Sequence, residues 1–386
     1  MEKSGNQGRR NAALVLEDGT VFQGFAFGAS RKVGGEVVFN TAMYGYNEAL
    51  TDPSYWGQIL VYTYPLVGNY GVPQLKEVDS WNLPKWFESD SIKVRALVVH
   101  EVCKSPSHWS SSTSLDGWLR SEGIPGIYGI DTRALTKRLR VHGVMLGMVE
   151  VFEEDEEADI SRLLKDVCSI DDPNKRDLVA QVSVKEPVIY GESDEKDKPT
   201  VVLIDCGAKK SILRELLERN LKVVRVPPST GEDEILEYGP QGFVVSNGPG
   251  DPKVCVRTIE TVSKLLADRL PMFSVCLGNQ IFALSLGGST YKLKFGHRSV
   301  NSPIIDLHSG RCYISSANHG FAVDANSLEK TGLSVSFLNA NDRTVEGIRH
   351  ESMKAMSIQH HPEHSPGPSE LEFLFDVFAG WVRKAG

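Results

Sequence analysis

No stretch of the 386 residues reaches the roughly 18 consecutive apolar residues that a membrane-spanning helix needs. The opening, MEKSGNQGRRNAALVLEDGT, also has no apolar run of signal-peptide length. A cytoplasmic chain without a membrane partner is therefore expected. Cysteine is sparse: six residues, at 103, 168, 206, 255, 276 and 312, include no CxxC pair, which excludes a disulfide-stapled small domain and reads as reduced thiols. Basic charge is not in excess. With 42 Lys and Arg against 50 Asp and Glu, the net charge of −8 gives no basis for a nucleic-acid partner and favours a small polar substrate or another protein. Nor is there a phosphate-loop ending of Gly-Lys-Ser/Thr, an internal repeat or a low-complexity tract.

What is present suffices for two cores. The length exceeds one ordinary domain, and 41% apolar with 24% charged residues is the composition of a globular protein. A polar, charged run at 191–199 precedes the β-branched segment VVLIDC, so the expected organisation is a domain at 1–190, a linker at 191–199 and a domain at 200–386. The first half is β-rich, with strand-like segments at 13–16, 36–39, 59–62 and 96–100. Its one clear helix, 131–140, has Asp131 as N-cap and Gly143 just past its end. The second half alternates strand and helix, which predicts a mostly parallel sheet flanked by helices, with functional groups at the carboxyl ends of its strands.

Three segments carry chemistry. Ser274-Val275-Cys276-Leu277-Gly278-Asn279-Gln280 ends an apolar strand on a cysteine and opens a helix, the layout of a nucleophile elbow, in which the helix N-terminus favours a thiolate. A thiol nucleophile needs a base held by a third group. His361-Pro362-Glu363 provides one: in an extended chain, residues two apart share a face, so the carboxylate can orient the imidazole. Gly248-Pro249-Gly250 follows another strand, where glycines let backbone N–H groups approach a ligand or oxyanion. Taken singly, these also read as a buried strand cysteine, a surface turn and a plain loop.

In this order, the three segments resemble class I, triad-type glutamine amidotransferases, and Asn318-His319-Gly320-Phe321 adds a loop like that of their carbamoyl-phosphate branch. The first half is similar to the small subunit of carbamoyl-phosphate synthetase through Gly35-Glu36-Val37-Val38-Phe39-Asn40-Thr41, Leu50-Thr51-Asp52-Pro53-Ser54-Tyr55, 63–71 and 129–136; the 63–71 stretch is more like pyrimidine-type than arginine-type enzymes. The resemblance implies Cys276 as nucleophile, His361 as base and acid, and Glu363 as orienting carboxylate. It implies glutamine contacts at Ser54, Gly248, Gly250, Leu277, Gln280, Asn318, Gly320 and Phe321. Ser54 would place the pocket between the domains, and Leu277 and the glycine loop would supply oxyanion donors. No cofactor or metal is implied in this chain; ATP and magnesium belong to a partner, a large synthetase subunit or a fused synthetase domain. Three positions depart from the family pattern: Ser274 for glycine, Asn279 for histidine and His360 for a bulky apolar residue. Two other classes stay open, a non-catalytic scaffold of the synthetase and an amidotransferase for another acceptor, such as chorismate or a nucleotide; the first-half motifs count against the latter.

Overall fold

A computed structural model describes residues 10–152, 159–192 and 198–385. The chain forms two compact units, one made of the segments up to Glu77 and Asp90–Pro173, the other of Val78–Ser89 and everything from Asn174 onward. This division differs from a single cut at 190. The expected linker lies partly outside the described residues, at 193–197.

The first unit is a closed barrel of seven strands: β1 (Asn11–Leu16), β2 (Val21–Gly28), β3 (Lys32–Asn40), β4 (Gln58–Tyr62), β5 (Ala96–Val98), β6 (Pro125–Tyr128) and β7 (Met145–Val151), in the order β1-β2-β6-β5-β4-β3-β7. Closure pairs β7 with β1 and leaves no sheet edge in the barrel. Alternation along β1 turns Ala13 and Val15 towards Leu163 and Val167 of the Ile160–Cys168 helix. The helix read at 131–140 spans Thr132–His142. The Asp131 carboxylate accepts from the Ala134 amide at 2.8 Å, and Gly143 ends the helix at φ 100°.

The second unit is built on a ten-stranded sheet. Its strands are β8 (Val188–Tyr190), β9 (Thr200–Ile204), β10 (Lys222–Val226), β11 (Gly242–Val245), β12 (Met272–Val275), β13 (Thr290–Asp306), β14 (Cys312–Val323), β15 (Leu333–Asn339), β16 (Val345–His350) and β17 (Ala355–Ile358), ordered β8-β10-β9-β11-β12-β17-β16-β15-β13-β14. The five strands from β10 to β17 are parallel, as the alternation predicts. From β17 outward the sheet continues through four antiparallel strands, an extension that the alternation does not announce.

Helices cover both faces of the parallel part. On one face, Phe375, Phe378 and Val382 of the Phe373–Arg383 helix share a core with Val244 and Phe273, with the Phe273 and Phe375 rings edge to face at 5.1 Å. The Val256–Ala267 and Leu277–Ser285 helices pack on the other. Residues 78–89 belong to this unit for a physical reason. Leu83 enters its core, Asp79 pairs with Arg214 at 2.8 Å, and the buried Glu88 carboxylate accepts from the Ser211 amide and hydroxyl, capping the Lys210–Glu218 helix. No helix among the described residues is long and apolar enough to cross a membrane.

Candidate active site

Strand β12 ends on a backbone that L-residues avoid. Cys276 sits at φ 56°, ψ −104°, directly before the Leu277–Ser285 helix, so its thiol stands at the positive end of that helix. The strained turn is pinned from both sides. The Cys276 amide donates to the Ile358 carbonyl of β17 at 2.7 Å, and the Gly278 amide donates to the Ser246 carbonyl after β11 at 3.1 Å. Only glycine fits at 278, because a Cβ there would lie 2.4 Å from the Val245 carbonyl oxygen. Ser274 is buried and small, and the elbow forms with it in place.

His361 arrives from the end of β17, its amide donating to the Ser316 carbonyl of β14 at 2.9 Å. Its Nδ1 meets Glu363 Oε1 at 2.6 Å, as the shared face predicts. The same oxygen accepts from Lys209 Nζ at 2.7 Å, giving a line of Lys209, Glu363 and His361 in which each residue is 2% exposed or less. The His361 Nε2 makes no hydrogen bond to nitrogen or oxygen, which leaves that edge of the ring to the Cys276 thiol. Burial works against a charge on His361, yet Glu363 and the Cys276 sulfur outweigh both burial and the Lys209 cation, and the imidazole pKa is pushed up to about 10. Burial would raise the Glu363 pKa, but Lys209 and His361 hold it well below the ordinary carboxylate range. At neutral pH the site therefore carries an imidazolium held by a carboxylate, beside the Cys276 sulfur at a helix N-terminus.

Of the other implied residues, those on the elbow helix and on β14 meet here. The Asn318 carbonyl accepts from Cys276 Sγ at 3.5 Å. Gln280 donates to the Phe321 carbonyl at 2.9 Å and to Gln359 Oε1 at 3.0 Å, so the elbow helix is tied to the strand that carries Asn318, Gly320 and Phe321. Gly248 brings its loop against the Cys206 carbonyl and the Leu277 side chain, where a Cβ would lie 2.1 and 2.8 Å from their atoms, and Gly250 follows at φ 88°. Ser54 lies in the other unit, buried in a short 3-10 turn with its amide held by Asp52 at 2.9 Å.

Two of the departures take structural parts. Asn279 donates to Gln359 at 3.1 Å and accepts from Ser357 at 2.8 Å. His360 faces away from His361, buried edge-on against Phe337, and burial first, then the nearby His361 charge, lowers its pKa to about 3, so it is neutral. Sequence reasoning missed Lys209, Gln359 and Glu88. Lys209 left one signal. It is a cation at a helix N-cap without a side-chain capping bond, a placement that the helix dipole disfavours and that a buried carboxylate must compensate.

Residues 14–149 match the family model described as carbamoyl-phosphate synthase small chain, CPSase domain, and residues 202–381 match glutamine amidotransferase class-I. The carbamoyl phosphate synthase small chain of Methanopyrus kandleri is 47% identical over 373 residues, covering 97% of this chain and 99% of that one. The protein of the same name from Methanocaldococcus jannaschii is 48% identical over 365 residues, 95% and 97% of the two chains. The multifunctional protein CAD of Squalus acanthias is 47% identical over 375 residues, 96% of this chain but 16% of that longer one.

Proposed function

The chain belongs to the carbamoyl phosphate synthase small-chain family, the glutamine-hydrolysing part of the synthase, and from that premise we propose that Cys276, with His361 and Glu363 behind it, releases ammonia from glutamine. The observation that carries the reading is the 2.6 Å contact of His361 with Glu363, behind a cysteine held at positive φ on a helix N-terminus.

The thiolate of Cys276 attacks the side-chain carboxamide carbon, and the carbonyl π electrons move onto oxygen. Backbone N–H groups at Leu277 and in the Gly248 to Gly250 loop meet that oxyanion. The His361 imidazolium gives its proton to the nitrogen, the C–N bond breaks, and ammonia leaves behind a γ-glutamyl thioester. The now neutral His361 removes a proton from water. Hydroxide adds to the thioester, the C–S bond breaks, and glutamate departs while the thiolate–imidazolium pair is restored. Glu363 keeps the imidazole oriented throughout, and Lys209 fixes Glu363.

On this reading glutamine is the small-molecule partner, held by the residues from Ser54 to Phe321 that the resemblance implies, and the ammonia goes to a synthetase partner that uses ATP and magnesium. That partner is a separate large subunit or a domain of the same polypeptide; the small-chain relatives support the first arrangement, and the match to 16% of the multifunctional protein of Squalus acanthias supports the second. The setting is the cytoplasm, with neither nucleic acid nor membrane involved. The test is Cys276→Ala in the assembled synthase. Glutamine-dependent carbamoyl phosphate formation is lost and ammonia-dependent formation persists; glutamine hydrolysis surviving in the variant would overturn the assignment.

A further inference from the structure

Behind the Asn318 to Phe321 segment, three side chains from three strands turn ligand atoms towards one point. His297 of β13 and His319 of β14 are cross-strand neighbours whose rings meet edge to face at 4.9 Å, and Glu346 comes from β16. One atom from each, His297 Nδ1, His319 Nε2 and a Glu346 carboxylate oxygen, lie within 4.8 Å of one another. The two imidazole atoms are buried and make no hydrogen bond.

The opposite edges of the rings explain which atoms face inward. His319 Nδ1 lies 2.9 Å from the Phe321 carbonyl, which can only accept, so that nitrogen carries the hydrogen and Nε2 presents its lone pair to the cluster. His297 Nε2 lies 2.8 Å from the Asp342 carboxylate, which by the same logic takes its hydrogen and leaves the lone pair on Nδ1. Asn339 donates to Glu346 Oε1 at 3.0 Å and fixes the carboxylate. Each imidazole is thus oriented by a partner on its far side, the pattern that metal-bound histidines show. With both imidazoles neutral in these tautomers, three acceptors face one another and can share a cation.

The distances say which kind. Ligands about 2.0–2.1 Å from a tetrahedral zinc ion stand about 3.4 Å apart. His297 Nδ1 and Glu346 Oε1 are 3.4 Å apart, and His319 Nε2 and the same oxygen 3.9 Å. The route in is short, since Asp342 is half-exposed and the His297 side chain is 15% exposed. The geometry points to a divalent transition-metal site, with the two-imidazole, one-carboxylate donor set that suits zinc. A metal there would clamp β13 and β14 to β16 and hold Asn318, the residue next to the ligand His319, against the cysteine.

Cobalt(II), a coloured stand-in for zinc, tests this in the metal-stripped full chain carrying Cys276→Ala, which removes the competing thiol. One equivalent binds with a visible spectrum of nitrogen and oxygen ligation. His297→Gln abolishes stoichiometric binding, and Asp342→Asn, at the half-exposed partner, weakens it about 10- to 100-fold. Circular dichroism checks the fold of each, and Asp342→Asn decides if His297→Gln does not fold. The proposal is overturned by absence of stoichiometric binding, by binding unchanged in the folded variants, or by cobalt that binds only when Cys276 is present, which would place it on the nucleophile. In the first case a proton on His297, shared between Asp342 and Glu346, is the cation.

Discussion

Lys209, Glu363 and His361 form a buried chain of charges, and removing one end leaves the others badly placed. Lys209→Met leaves Glu363 without the cation that its Oε1 meets at 2.7 Å. A broken buried ion pair costs about 3–5 kcal/mol, so urea denaturation should show a loss of that size. The Glu363 carboxylate is also what keeps the His361 proton in place against burial. Glu363→Gln should therefore drop the His361 pKa from about 10 to below the ordinary imidazole value of 6.5, and an NMR titration of the imidazole reads the shift directly. Linkage gives the sign for stability. The folded-state pKa of His361 is raised, so its contribution is full below about pH 6.5 and is lost as pH climbs through about 10. Glu363 is depressed, so its contribution is full above pH 4.5 and is lost on acidification. The stability gap between wild type and His361→Gln should narrow from pH 6 to pH 10, which unfolding curves across that range would reveal.

At the scale of elements, the elbow depends on the approach of one helix to one strand. Gly278→Ala pushes a methyl group into the Val245 carbonyl and should cost about 1–3 kcal/mol, as overpacking does, with glutaminase activity falling more steeply than stability because Cys276 moves with the helix. Parallel measurement of melting and of glutamine turnover separates the two effects. How much of the molecule was legible follows from how local each signal is. Cys276 could be read because an apolar strand, a cysteine and a glycine adjoin in the chain, and His361 with Glu363 because two residues of extended backbone put them on one face. The helix capped by Asp131 was legible for the same reason. The antiparallel extension from β13 to β16 was not. Its long strands are interrupted by register shifts and mix buried with exposed positions irregularly, so no clean period of two announces them. Lys209 was hidden because its partner lies 154 residues away.

For the molecule as a whole, chain order and spatial order part company at 78–89. A fragment of residues 200–386, the natural choice from composition, omits Leu83 from the core, the Asp79 partner of Arg214, the Glu88 cap and edge strand β8. It should have a lower urea midpoint than a fragment of 174–386 supplied with the 78–89 peptide in excess, and titrating the peptide should raise that midpoint with concentration, as mass action requires. Sequence alone could not have drawn this boundary, because nothing in residues 78–89 states which core Leu83 fills.

That excursion also sets a timetable for synthesis. Glu88 leaves the ribosome 123 residues before Ser211, the residue that it caps. At about 5–20 residues per second, it waits on the order of 6–25 seconds, while β5, β6 and β7, the last three strands of the barrel, are being made. Residues 78–89 are therefore made well before the core of the unit to which they belong, and the nucleophile elbow later still.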